Sequence, residues 1–98
     1  MRGHNLQIAY TNLLVLGLVR SKRHFSRDFL GRGWSYLRDF EQRDRSDVRI
    51  PVNTVSVLRA RLHAVARLTP PGIRHQIENL IATIDRDAHI AEFLSYRH

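Results

Sequence analysis

The feature that most limits how this chain can fold is a glycine pair, Gly31 and Gly33, set between two helically spaced runs of aromatic residues. Phe25 and Phe29 are four apart, so both rings fall on one face of a helix. Trp34, Leu37 and Phe40 then recur every three residues and mark the apolar side of a second helix. Gly31 can take the positive φ of a helix C-cap, with Gly33 in the same turn. Two short helices joined by a tight reversal are the expected outcome, and residues 16–45 organise the rest.

Local signals place the ends of this pair. Ser21 is an N-cap candidate for a helix over about Lys22–Leu30, and Ser26 is small enough for a close helix crossing. The next helix is predicted over about Trp34–Asp44. At about 100° per residue, Ser35, Asp39 and Gln42 point away from its apolar side, and Arg38 and Arg43 flank that outward face. Such a face suits DNA. Arginine can bond guanine bidentately and glutamine adenine, while serine hydroxyls and backbone amides meet phosphate oxygens.

Phe25-Ser26, the glycine turn at 31–33, and then Leu37, Phe40 and Glu41 resemble the Cro/repressor type of helix-turn-helix. The resemblance covers roughly residues 21–67. It departs from that pattern in a turn one residue longer and in Ser26 where alanine is usual. Leu16–Arg32 also looks like small bacterial proteins of the same general kind. The resemblance implies double-stranded DNA as partner and a regulator of transcription that puts helix 34–44 in the major groove. Arg38, Gln42, Ser35 and Asp39 would then lie near bases. Arg23, Arg32, Arg43, Arg45 and Arg49 would serve phosphates, with Arg45 and Arg49 equally readable as part of a solvated loop.

The other segments read as scaffold. Leu6, Ala9, Tyr10, Leu13 and Leu16 give a first helix over residues 5–19, with Asn5 as N-cap and Leu18 and Val19 folding back onto the core. Residues 44–52 form a charged linker, and Pro51 biases Ile50 toward extended backbone. A fourth helix runs from Asn53 or Thr54 to about Leu68 on the stripe Val55, Leu58, Leu62 and Val65, with a Val52–Val57 staple at its start. Arg59, Arg61 and Arg67 lie off that stripe and are read as solvated. Thr69-Pro70-Pro71 caps the last helix, with a second staple between Leu68 and Ile73, and this helix continues to about Tyr96. The fold class is therefore all-α: a compact helix-turn-helix bundle of four short helices (residues 1–68) plus a long C-terminal helix (residues 69–98).

That last helix carries a near-heptad stripe, and Ile77, Leu80, Ile81, Ile84, Ala88, Ala91 and Leu94 are expected to form a homodimer contact, although its first part can pack on the fourth helix and the whole stripe can equally lie across the chain's own core. A two-fold dimer would present two reading helices to half-sites about one helical turn apart. The alternative is an antitoxin-like or anti-activator module whose C-terminal helix binds a protein partner.

Charge supports a polyanion as ligand. Sixteen Arg and Lys face nine Asp and Glu. Residues 20–67 hold twelve cations against five carboxylates, and residues 68–98 three against four. No cysteine is present, which excludes disulfides, thiolate zinc sites and cysteine nucleophiles. The six histidines include no i, i+4 pair, so neither metal nor cofactor is expected. Carboxylates two apart on a helix do not converge on a reacting centre, and no phosphate loop or nucleophile elbow occurs, so no enzyme is read here. The apolar run 13–19 is too short to span a bilayer, which takes about 20 residues, and the expected location is the cytoplasm.

Overall fold

The computed structural model describes residues 1–43 and 49–95, with side chains as far as residue 86. Among these residues the regular structure is helical. It comprises α1 (Gly3–Val15), α2 (Lys22–His24), which runs straight on into a π-helical turn (Phe25–Phe29), α3 (Tyr36–Gln42), α4 (Val52–Ala66) and α5 (Pro71–Ser95). The all-α class is as expected from the sequence. Residues 44–48, and with them Arg45 and the expected end of the third helix at Asp44, lie outside the described residues. So do the side chains of Ala88, Ala91 and Leu94, and Tyr96 at the expected end of the last helix.

Each helix end has a local cause. α1 stops at Val15, short of the expected 19, because Gly17 takes φ 76°. The Leu18 N–H then donates to the Leu13 carbonyl and the Gly17 N–H to that of Leu14, which closes the helix with a left-handed glycine. This reversal turns Val19 into the core. Its start also differs from expectation, since the N-cap is Arg2 rather than Asn5. α2 begins as read: the Ser21 hydroxyl accepts from the His24 N–H at 3.1 Å. The Leu30 N–H reaches back five residues to the Phe25 carbonyl, and this wider turn is the π-helical stretch. Gly31, at φ 64°, ends it. A Cβ there would come within 3.2 Å of Val57 on α4, so this glycine also lets α4 approach closely.

Two expected staples are absent. α4 starts at Val52 behind Pro51, and Val52 is exposed, so it does not clamp Val57. Leu68 is likewise exposed and does not reach Ile73. The Thr69 hydroxyl donates backwards to the Ala66 carbonyl instead of capping α5. Arg74 joins it there, with Nε donating to Ala66 O at 2.9 Å and Nη2 to Thr69 O at 3.2 Å. A cation from the first turn of α5 thus satisfies the orphan carbonyls at the negative end of α4.

The core gathers the inner faces of all the helices. α1 contributes Leu6, Ala9 and Leu13; the second helix Phe25, Phe29 and Leu30; α3 Leu37 and Phe40. α4 adds Leu58, Leu62 and Ala66, with Thr54 buried on the same side, so its face is turned slightly from the predicted Val55 and Val65. From α5, Ile77, Leu80, Ile81 and Ile84 are buried within the chain itself. That corrects the expected dimer contact. These four residues are largely buried in the chain's own core, because α5 lies along α4.

The α4–α5 pair is also tied at its rim. Arg59 Nε and Nη2 donate to the two oxygens of Asp85 at 2.7 and 3.1 Å. This arginine, read as solvated, has a fixed partner. The hydrogen bond from Arg59 holds the Asp85 carboxyl below its ordinary value of 3.8. A carboxylate whose folded value is depressed gives stabilisation that is complete above the ordinary value and is lost as pH falls through the folded one. The expected result is that Asp85→Asn slightly lowers the thermal midpoint at neutral pH and that the difference from wild type closes in acid, below the ordinary aspartate range. The effect is small, because both side chains are about half exposed and screened. A difference that persists unchanged at low pH would assign the loss to something other than this ion pair.

Candidate nucleic-acid interface

The π-helical turn that continues α2 and the start of α3 are brought side by side by one buried hydrogen bond. The Leu37 amide lies in the first turn of α3, where no intrahelical acceptor exists. It donates to Ser26 Oγ at 3.0 Å, and Ser26 is wholly buried. Serine therefore stands at the crossing for more than its size. Across the same junction Lys22 Nζ bonds Glu41 Oε2 of α3, and that hydrogen bond raises the Lys22 pKa. The Arg20 amide donates to His24 Nδ1 at 3.1 Å while His24 Nε2 faces Asp28 Oδ2 at 2.9 Å, a pair of contacts that fits the Nε2–H tautomer. This fixes the backbone that carries Arg20.

Between the two helix starts lies an open cleft of about 600 Å³, lined by Tyr10, Arg20, Ser21, Lys22, Arg23, Trp34, Ser35 and Arg38. Four of these are cations and none is acidic. Trp34 corrects the sequence reading. It precedes α3 in a turn closed by the Tyr36 N–H to the Gly33 carbonyl, and it is 60 % exposed rather than buried beside Leu37 and Phe40. Its ring lies against Arg23, whose guanidinium carbon sits 5.0 Å from the ring centroid, within cation–π range.

The residues singled out for DNA divide into groups. Arg23, Ser35 and Arg38 line the cleft. Asp39, Gln42 and Arg43 are exposed along and just past α3, as their spacing predicts. Arg32 is drawn into the scaffold, its Nε donating to buried Thr54 at 2.8 Å and its guanidinium lying 5.5 Å from the Tyr36 ring. It is a strut between the turn and α4, and a phosphate would compete with that bond. Arg49 is exposed, and its backbone bridges to that of Arg2. Sequence reasoning misses Tyr10, Arg20, Lys22 and Trp34 as parts of the cleft. The signal for two of them is present, since Arg20 and Lys22 immediately flank the capping Ser21 and must project near the positive end of α2.

Among the described residues no three His, Asp or Glu side chains gather into a metal-binding group, and no helix is long and apolar enough to cross a membrane. A family model described as a family of unknown function (DUF6626) matches residues 6–89. No curated protein and no solved structure matches the chain.

Proposed function

The chain belongs to DUF6626, a family of unknown function, and we propose that this member is a sequence-specific DNA-binding regulator of transcription that places α3 in the major groove. The observation carrying this reading is the convergence of Arg20, Lys22 and Arg23 at the start of α2 with Ser35 and Arg38 of α3, whose exposed face continues through Asp39 and Gln42. Arg20, Lys22 and Arg23 at the start of α2 grip phosphates, and Arg38, Asp39 and Gln42 offer bidentate donors and acceptors to base edges. The protein acts as a dimer in this reading.

Selection of bound sites from random duplexes tests this directly. A palindromic consensus is the expected result, and an Arg38→Ala/Gln42→Ala pair is expected to lose it. Replacing Arg20 and Arg23 together by alanine is expected to make the fall of log affinity with log salt shallower by about 2, near 0.9 for each phosphate no longer neutralised. If no consensus emerges, or the double variant binds the selected site as well as wild type, α3 is not a reading helix.

One observation favours a protein partner instead. A shallow groove between α1 and α5, lined by Ile8, Asn12, Leu16, Gln76, Asn79, Leu80 and Thr83, leaves the apolar Ile8 exposed. An antitoxin-like or anti-activator module would show weak, sequence-independent DNA retention and recover a stoichiometric protein.

A further inference from the structure

We infer that the cleft between the starts of α2 and α3 is a nucleotide pocket, in which a base stacks on Trp34 and its phosphate lies among Arg20, Arg23 and Arg38.

Indole is the largest apolar side chain, and leaving most of it in water forgoes burial that the core could have used. Here it is 60 % exposed. It is nevertheless held in place, by the turn that precedes α3 and by the Arg23 guanidinium against it. A duplex gives Trp34 little to do, because it offers phosphates while its bases remain stacked on one another. An unstacked base is different: its planar face matches an indole–guanidinium platform, and such stacking tolerates any base.

The remaining lining supplies the other half of a nucleotide. Lys22 is partly neutralised by Glu41, whereas among the described residues no carboxylate forms an ion pair with Arg20, Arg23 or Arg38. Arginine forks suit phosphate oxygens. Ser21 and Ser35 add hydroxyls. A volume of about 600 Å³ lies within the range of small-ligand sites and accommodates one nucleotide. Base and phosphate together are the shared chemistry of a free mononucleotide and of a single nucleotide in an unpaired strand. The inference stands whether or not α3 reads a duplex. If it does, Arg23, Ser35 and Arg38 serve both ligands, and an occupied cleft competes with DNA.

Trp34 is the only tryptophan in the chain, so its fluorescence reports the cleft alone. The full chain would be titrated with adenosine monophosphate, with an oligothymidylate of about eight nucleotides, with adenosine and with inorganic phosphate. Saturable quenching by the mononucleotide is expected if the ligand is free, and by the oligonucleotide alone if it belongs to a strand. Adenosine and phosphate should each bind at least about tenfold more weakly than the probe that combines them. By calorimetry, Trp34→Ala should weaken binding at least about fivefold, Trp34→Phe should recover part of it, and Arg23→Ala should weaken it as well. Gln42→Ala, which tests duplex reading, should leave it unchanged. No saturable change with either probe, unaltered affinity in Trp34→Ala, or phosphate binding as tightly as the probe that quenches would each overturn the inference.

Discussion

Phe25→Ala is expected to remove about 3–5 kcal/mol of folding stability, the cost of deleting a buried ring and leaving a cavity. Phe25 is fully buried where three elements meet. Its ring centroid lies 5.6 Å from that of Tyr10 on α1 and 6.1 Å from that of Phe29, and Leu37 of α3 belongs to the same core. No single neighbour can collapse into the space without releasing another. A domain of this size has only about 5–15 kcal/mol in total, so the variant should be partly unfolded or melt far below wild type. Trp34→Ala is the informative control. Sequence spacing makes both aromatics part of the core, whereas the structure puts Trp34 on the surface, where truncation should shift stability by no more than about 0.5 kcal/mol. Urea unfolding of the two variants measures this contrast. Equal losses would return Trp34 to the core and remove it from the cleft.

Ser26→Ala should cost about 1–3 kcal/mol although it removes only one oxygen. The hydroxyl is the acceptor for the Leu37 amide, and neither group is reached by water. Alanine fits the space and leaves that amide unpaired, so the loss is one of desolvation rather than packing. It should be concentrated at the start of α3, with the Leu37 amide exchanging with solvent much faster than in wild type. A neutral variant with unchanged exchange at Leu37 would show that this bond does not hold the two helices together.

Most of the helices are legible in the sequence because their signals are local. Ser21 as a cap, Gly31 as a left-handed stop and the proline boundary at 70–71 all act within a few residues of themselves. Helical spacing likewise locates the buried faces of Leu6–Leu13 and Leu58–Leu62. Failures come where two parts of the chain have to meet. Trp34 continues the spacing of Leu37 and Phe40, but the helix begins only at Tyr36, so the periodic rule does not reach it. Ile77 to Ile84 resemble a dimer stripe because nothing in the sequence reveals how much of it α4 can cover. Arg32 and Arg59 look like free surface cations, and their partners, Thr54 and Asp85, lie 22 and 26 residues away. The cleft is hidden for the same reason, since its walls come from α1, α2, the turn before α3 and α3 itself.

The π-helical turn at Phe25–Phe29 bears on how this chain should be compared with others. Such a turn packs one more residue into nearly the same rise as an α-helical turn. An extra residue taken up there lengthens the sequence without displacing α3, so counting positions toward Gly31 makes the reversal seem longer than its backbone requires. An alignment of family members should accordingly open its gap inside this helix rather than at the glycines. Members one residue shorter between 25 and 29 should carry a plain α-helical turn, with the start of α3 in the same place. Residue counts across this helix pair are then a poor ruler, and the Ser26–Leu37 bond is the better landmark for setting two chains in register.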